Sequence, residues 1–73
     1  MAIIEVKSEI AGKVWKIQAE IGEQLDEDEA IIILESMKME IPVDAPEEGK
    51  VIEILVNEGD PVNEGQVVAK LEI

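Results

Sequence analysis

The chain has 73 residues, no cysteine, histidine, tyrosine or arginine, and a formal net charge of −12 from 18 acidic residues against 6 lysines. That length makes one small domain, 1–73, with room for a modest core and no large pocket beside it. The missing side chains exclude a disulfide framework, a thiol nucleophile, a zinc centre and a hydrolytic triad, and the acidity argues against nucleic acid and anionic membranes as partners.

Isoleucine and valine dominate the apolar content, and Trp15 is the only aromatic residue, a composition that favours strands. In chain order, Ile4–Lys7 alternates apolar and polar, Ala11-Gly12 marks a turn, and Val14–Ile17 alternates again. Trp15 is read as a strand-surface or packing residue, with ligand stacking as the sharper alternative. After the Ile21-Gly22-Glu23 turn comes Asp26-Glu27-Asp28-Glu29, read as a solvated acidic turn because it lacks the spacing of a calcium loop. The run Ala30–Leu34 is continuous and branched, which predicts a strand covered on both faces.

Apolar residues precede Glu35 and follow Glu40, so the chain must reverse near Met37-Lys38. No Asn-Gly or Gly-Gly is present there, and a type I turn is expected. Met39–Val43 continues as a strand, and Pro42 places it at a sheet edge or a bulge. Glu48-Gly49, an imperfectly alternating Val51–Val56, Glu58-Gly59-Asp60-Pro61 and Asn63-Glu64-Gly65 complete the pattern. No apolar run approaches the length of a membrane-spanning helix, and no signal peptide is evident, so the expected location is cytoplasmic or an organelle matrix.

The two halves repeat. A shift of 37 residues lays Ile4–Glu35 on Ile41–Glu72 without a gap, with identities that include Val6/Val43, Gly12/Gly49, Val14/Val51, Gly22/Gly59, Leu34/Leu71 and Glu35/Glu72. Asp28 falls where its partner is Gly65, so any need for φ > 0 is met there by a costlier residue. The shift carries Lys38 onto Met1 in one direction and beyond Ile73 in the other. A chain folded as two like halves therefore puts Lys38 on a tip, with the termini at the opposite end. A lone displayed lysine suits covalent attachment better than a catalytic pocket.

The residues Glu35-Ser36-Met37-Lys38-Met39-Glu40, followed by Ala45-Pro46, Gly49-Lys50-Val51, Glu58-Gly59-Asp60 and Val62-Asn63-Glu64-Gly65, resemble the biotinyl/lipoyl attachment domain family. The similarity runs over nearly the whole chain and is most specific at Met37-Lys38-Met39. It extends to stand-alone attachment proteins and to the carrier domains of biotin-dependent carboxylases. It implies an all-β fold, a flattened barrel of two four-stranded antiparallel sheets with internal quasi-twofold symmetry. It also implies covalent biotin on Lys38, ligase recognition of Met37 and Met39, and Glu35, Ser36 and Glu40 as hairpin context. The implied partners are a biotin protein ligase and the biotin carboxylase and carboxyltransferase subunits, served by a monomeric, non-catalytic carrier.

Lipoyl domains of the family typically have Asp-Lys-Ala at this turn, so the methionines favour biotin over lipoate. A lipoyl carrier for an oxo-acid dehydrogenase or glycine-cleavage-type system is the alternative within the family, and an unmodified β interaction module the alternative outside it. The halves align without a gap, which leaves no room for the inserted thumb of many bacterial acetyl-CoA carboxylase carriers.

Overall fold

The structure is a computed structural model that describes residues 2–73. It contains eight strands: β1 Ile3–Lys7, β2 Gly12–Ile17, β3 Gln24–Leu25, β4 Ala30–Ser36, β5 Met39–Asp44, β6 Gly49–Ile54, β7 Pro61–Val62 and β8 Val67–Glu72. They form two antiparallel four-stranded sheets, one in the order β1-β8-β6-β3 and the other β5-β4-β2-β7. The sheets face each other as two separate ladders, a flattened barrel-sandwich rather than a barrel closed by continuous pairing. Among the described residues there is no helix.

The 37-residue shift acts on the whole architecture. It carries β1 to β5, β2 to β6, β3 to β7 and β4 to β8, so each sheet is the image of the other and draws strands from both halves. Backbone contacts follow the same operation. Gly22 N donates to Val51 O at 2.7 Å, and its counterpart Gly59 N donates to Val14 O at the same distance. Gly22 and Gly59 have φ of 96° and 92°, a conformation in which a Cβ would be strained. Asp28 has φ 73° against 83° for Gly65, which confirms that the turn needs a left-handed residue at both places.

Burial supplies the energy for this arrangement, and it too is paired. Val6 and Val43, Val14 and Val51, Leu25 and Val62, Ile31 and Val68, Ile32 and Ala69, and Leu34 and Leu71 are all buried between the sheets. Ala19 and Val56 close one such pair, and among the described residues Ser8, the counterpart of Ala45, is the one buried polar exception. The Ser8 hydroxyl donates to Ile10 O at 2.6 Å, so the buried oxygen is satisfied.

The turns use a shared device. Glu23, Glu29, Asp60 and Gln66 each accept a hydrogen bond from the backbone N–H three residues earlier, at Glu20, Asp26, Asn57 and Asn63. Each also donates its own N–H back to the carbonyl of that earlier residue. A carboxylate or amide three residues on thus closes each turn from both sides. The acidic run Asp26–Glu29 is one of these turns, and its residues are exposed.

Two expectations need correction. Ala30–Leu34 is a strand, but it is not uniformly covered on both faces. The register with β5 slips between Ala30 and Ile32, so Ile31 occupies a bulge, and Ile31 and Ile32 are both turned into the core while Ile33 is only half-buried. Val68, the counterpart of Ile31, is passed over in the same way where the β1–β8 register shifts. The turn at Met37-Lys38 also differs from the expected type I form.

Candidate functional site

The reversal expected near Met37-Lys38 is a two-residue loop between β4 and β5, closed by the Ser36/Met39 register pair. Its central residues Met37 and Lys38 have φ of 51° and 64°. The turn is therefore of the type I′ kind, not type I. The cause lies in the ladder: a two-residue loop must follow the right-handed twist of its strands, and only the primed turns do so. Holding two non-glycine residues in the left-handed region costs roughly 1–2 kcal/mol each, which the long β4–β5 ladder holds in place.

Three side chains are exposed at this tip, two in the turn and one on the first residue of β5. Met37 is 92% exposed and Met39 62%, and Lys38 is exposed between them. Neither methionine belongs to the core. Glu35 and Glu40 are paired across the ladder below the turn and exposed, and Ser36 is partly covered. All six residues singled out from the sequence thus lie together on one hairpin. Pro42, three residues beyond Met39, sits on β5 at the sheet edge, where its missing N–H leaves no ladder bond unmade.

Lys38 differs from every other lysine in backbone context. Lys7, Lys13, Lys16, Lys50 and Lys70 all lie on strands, with their backbones tied into ladders. Among the described residues the one ion pair joins Lys70 and Glu53 at 3.6 Å, so Lys38 is not held by a carboxylate there. An exposed primary amine on a rigid tip fits covalent acylation by a group that a second enzyme delivers.

The counterpart of this hairpin is the pair of chain ends. Ala2 N donates to Ile73 O at 3.2 Å and Ile73 N to Ala2 O at 2.8 Å, and the shift maps Ile73 to Ser36 and Ala2 to Met39. Ala2 and Ile73 thus pair as Met39 and Ser36 do. Met1, the other counterpart of Lys38, lies outside the described residues. In a molecule measuring 37 × 18 × 18 Å, one end carries the lysine turn and the other the termini.

Trp15 was the aromatic residue whose role the sequence left open. It lies in a bulge of β2, where the register with β4 shifts between Val14 and Lys16, and it is half exposed. Its counterpart Ile52 marks the same shift between β6 and β8. It is a strand-surface residue on the sheet that carries Lys38.

The profile of the family described as "Biotin-requiring enzyme" matches residues 2–71. The chain belongs to this biotin/lipoyl attachment family. It is 46% identical over 66 residues to the biotin/lipoyl attachment protein of Bacillus subtilis, covering 90% of each. It is 39% identical over 67 residues to the urea amidolyase of Saccharomyces cerevisiae, spanning 92% of this chain but only 4% of that enzyme. The urea carboxylase structure of Kluyveromyces lactis superposes with a TM-score of 0.93 at 36% identity, covering 99% of this chain and 6% of that one. The attachment domain thus matches one relative along almost its full length, and large multidomain enzymes over a small part of theirs.

Proposed function

We propose that this domain is a non-catalytic carrier whose Lys38 holds biotin through an amide to Nζ. The observation that carries this reading is the placement of Lys38 as the only lysine in a turn, exposed on a type I′ hairpin between two exposed methionines. When attached, the group supplies a site that takes up and releases a carboxyl group. The chain's own residues contribute position alone. The β4–β5 ladder fixes the tip, the lysine stem gives local reach, and Met37 and Met39 offer apolar surface to a biotin protein ligase.

The multidomain relatives support biotin carboxylase and carboxyltransferase active sites as the stations served. Tethering keeps the effective concentration of the carried group high at both. The many acidic side chains suit docking on basic enzyme surfaces, where charge complementarity speeds encounter. The name of the Bacillus subtilis relative supports lipoate as a second group that the same lysine accepts.

Lys38→Arg tests the assignment because it keeps the positive charge and removes the acylatable amine. After co-expression with a biotin ligase, streptavidin recognition of this variant should vanish while the far-ultraviolet spectrum stays that of the parent. Retained biotin on the variant would place the attachment elsewhere.

A further inference from the structure

The two methionines at the tip have a reactivity that carriage itself does not use. Met37 and Met39 are 92% and 62% exposed, and neither contributes to the core. The chain has no cysteine, so no thiol competes for an oxidant within it. A thioether reacts with a two-electron oxidant of the peroxide class by taking one oxygen atom onto sulfur. The peroxide O–O bond breaks, an S–O bond forms, and water leaves. The product, methionine sulfoxide, is polar and chiral where the thioether was apolar and flexible, and dedicated reductases reverse the change.

We propose that Met37 and Met39 form a reversible oxidation switch that controls loading of Lys38, with oxidation by peroxide lowering the rate at which a biotin ligase acylates the lysine. The inference rests on the reading that the ligase makes apolar contact with these two side chains. Sulfoxide oxygens in such a contact lose hydration without gaining partners, and the expected loss is roughly tenfold in initial rate. The location makes the effect local. Oxidation of a buried methionine would loosen a core, whereas Met37 stands in the turn and Met39 at the end of the ladder, both exposed and outside the core. Met37 and Met39 are the two chain neighbours of Lys38 on this hairpin, so both sulfoxides form next to the residue that carries the amine.

The unmodified 73-residue chain is treated with hydrogen peroxide, and peptide mass mapping locates the added oxygens. Initial rates of biotinylation at Lys38 are compared before oxidation, after it, and after treatment with both epimer-specific methionine sulfoxide reductases. The double variant Met37→Leu, Met39→Leu serves as an apolar protein that peroxide cannot change at the tip. The expected result is oxidation at both positions, a rate roughly tenfold lower, recovery on reduction, and a double variant indifferent to peroxide, all with an unchanged thermal midpoint. Oxidised protein that is loaded at the original rate overturns the switch and leaves Lys38 attachment standing. Loss of rate in the double variant as well overturns it by showing damage elsewhere. If Lys38 takes no biotin before peroxide is added, the underlying reading fails, and the switch falls with it.

Discussion

Gly12 is pressed against Glu35 across the β2–β4 ladder: a Cβ at Gly12 would come within 2.9 Å of the Glu35 carbonyl oxygen. The contact recurs in the other half, where a Cβ at Gly49 would lie 3.0 Å from Glu72 O. Backbone cannot withdraw as a flexible side chain would, so at Gly12 the methyl group must push the strands apart, and at Gly49 the Glu72 carbonyl must give by a few tenths of an ångström.

Gly12→Ala is therefore expected to destabilise the domain by about 1–3 kcal/mol, the usual range for inserting a methyl into a packed site. Gly49→Ala should give a loss of similar size, since the two sites are counterparts. Urea unfolding measures both. A midpoint that falls in one variant and not in the other would break the equivalence of the halves at this contact.

The type I′ turn makes a different forecast for Met37. Asparagine enters the left-handed region more readily than methionine, and it is a preferred first residue of this turn. Met37→Asn should hold the domain at equal stability or raise it by up to about 1 kcal/mol. The same change should slow biotinylation, because the apolar flank is gone. Unfolding midpoints and initial ligation rates separate the two effects. A fall in stability would mean that Met37 packs against something despite its exposure.

The paired ends predict how the molecule can be rewired. Ala2 and Ile73 already exchange two backbone hydrogen bonds, so a link of two residues such as Asn-Gly, put in place of Met1, should close them as a second hairpin. A circular permutant with that link, opened in the exposed turn between Glu47 and Glu48, should fold with a thermal midpoint at or above the parent's. Direct fusion of Ile73 to Ala2 without the link should lower the midpoint sharply, because the pair cannot then form. Equal midpoints for the two permutants would contradict the geometry.

Much of this fold was legible because the sequence repeats. The alignment with Gly65 marks Asp28 as the costlier residue for any left-handed position there, and the missing donor of Pro42 restricts it to an edge or a bulge; the first has φ 73° and the second lies on the edge strand. The grouping of Glu35 through Glu40 on one hairpin followed from the apolar runs on either side. What escaped were features of register. Bulges at Trp15 and Ile31 shift pairing by one residue and leave no mark in residue type, so Ala30–Leu34 read as a strand covered on both faces. The hand of the Met37-Lys38 turn escaped as well. Neither residue favours φ > 0, and the ladder imposes it against their local preference.

Lys38 is singled out among six lysines by its place in a turn between two exposed methionines, while the other five lie on strands. The most direct measurement is peptide-mapped mass of the full chain after co-expression with a biotin ligase. The account predicts one biotinyl increment per chain, confined to the peptide that contains Met37-Lys38-Met39. An increment on any of the five strand lysines, or a chain that gains none, would contradict it.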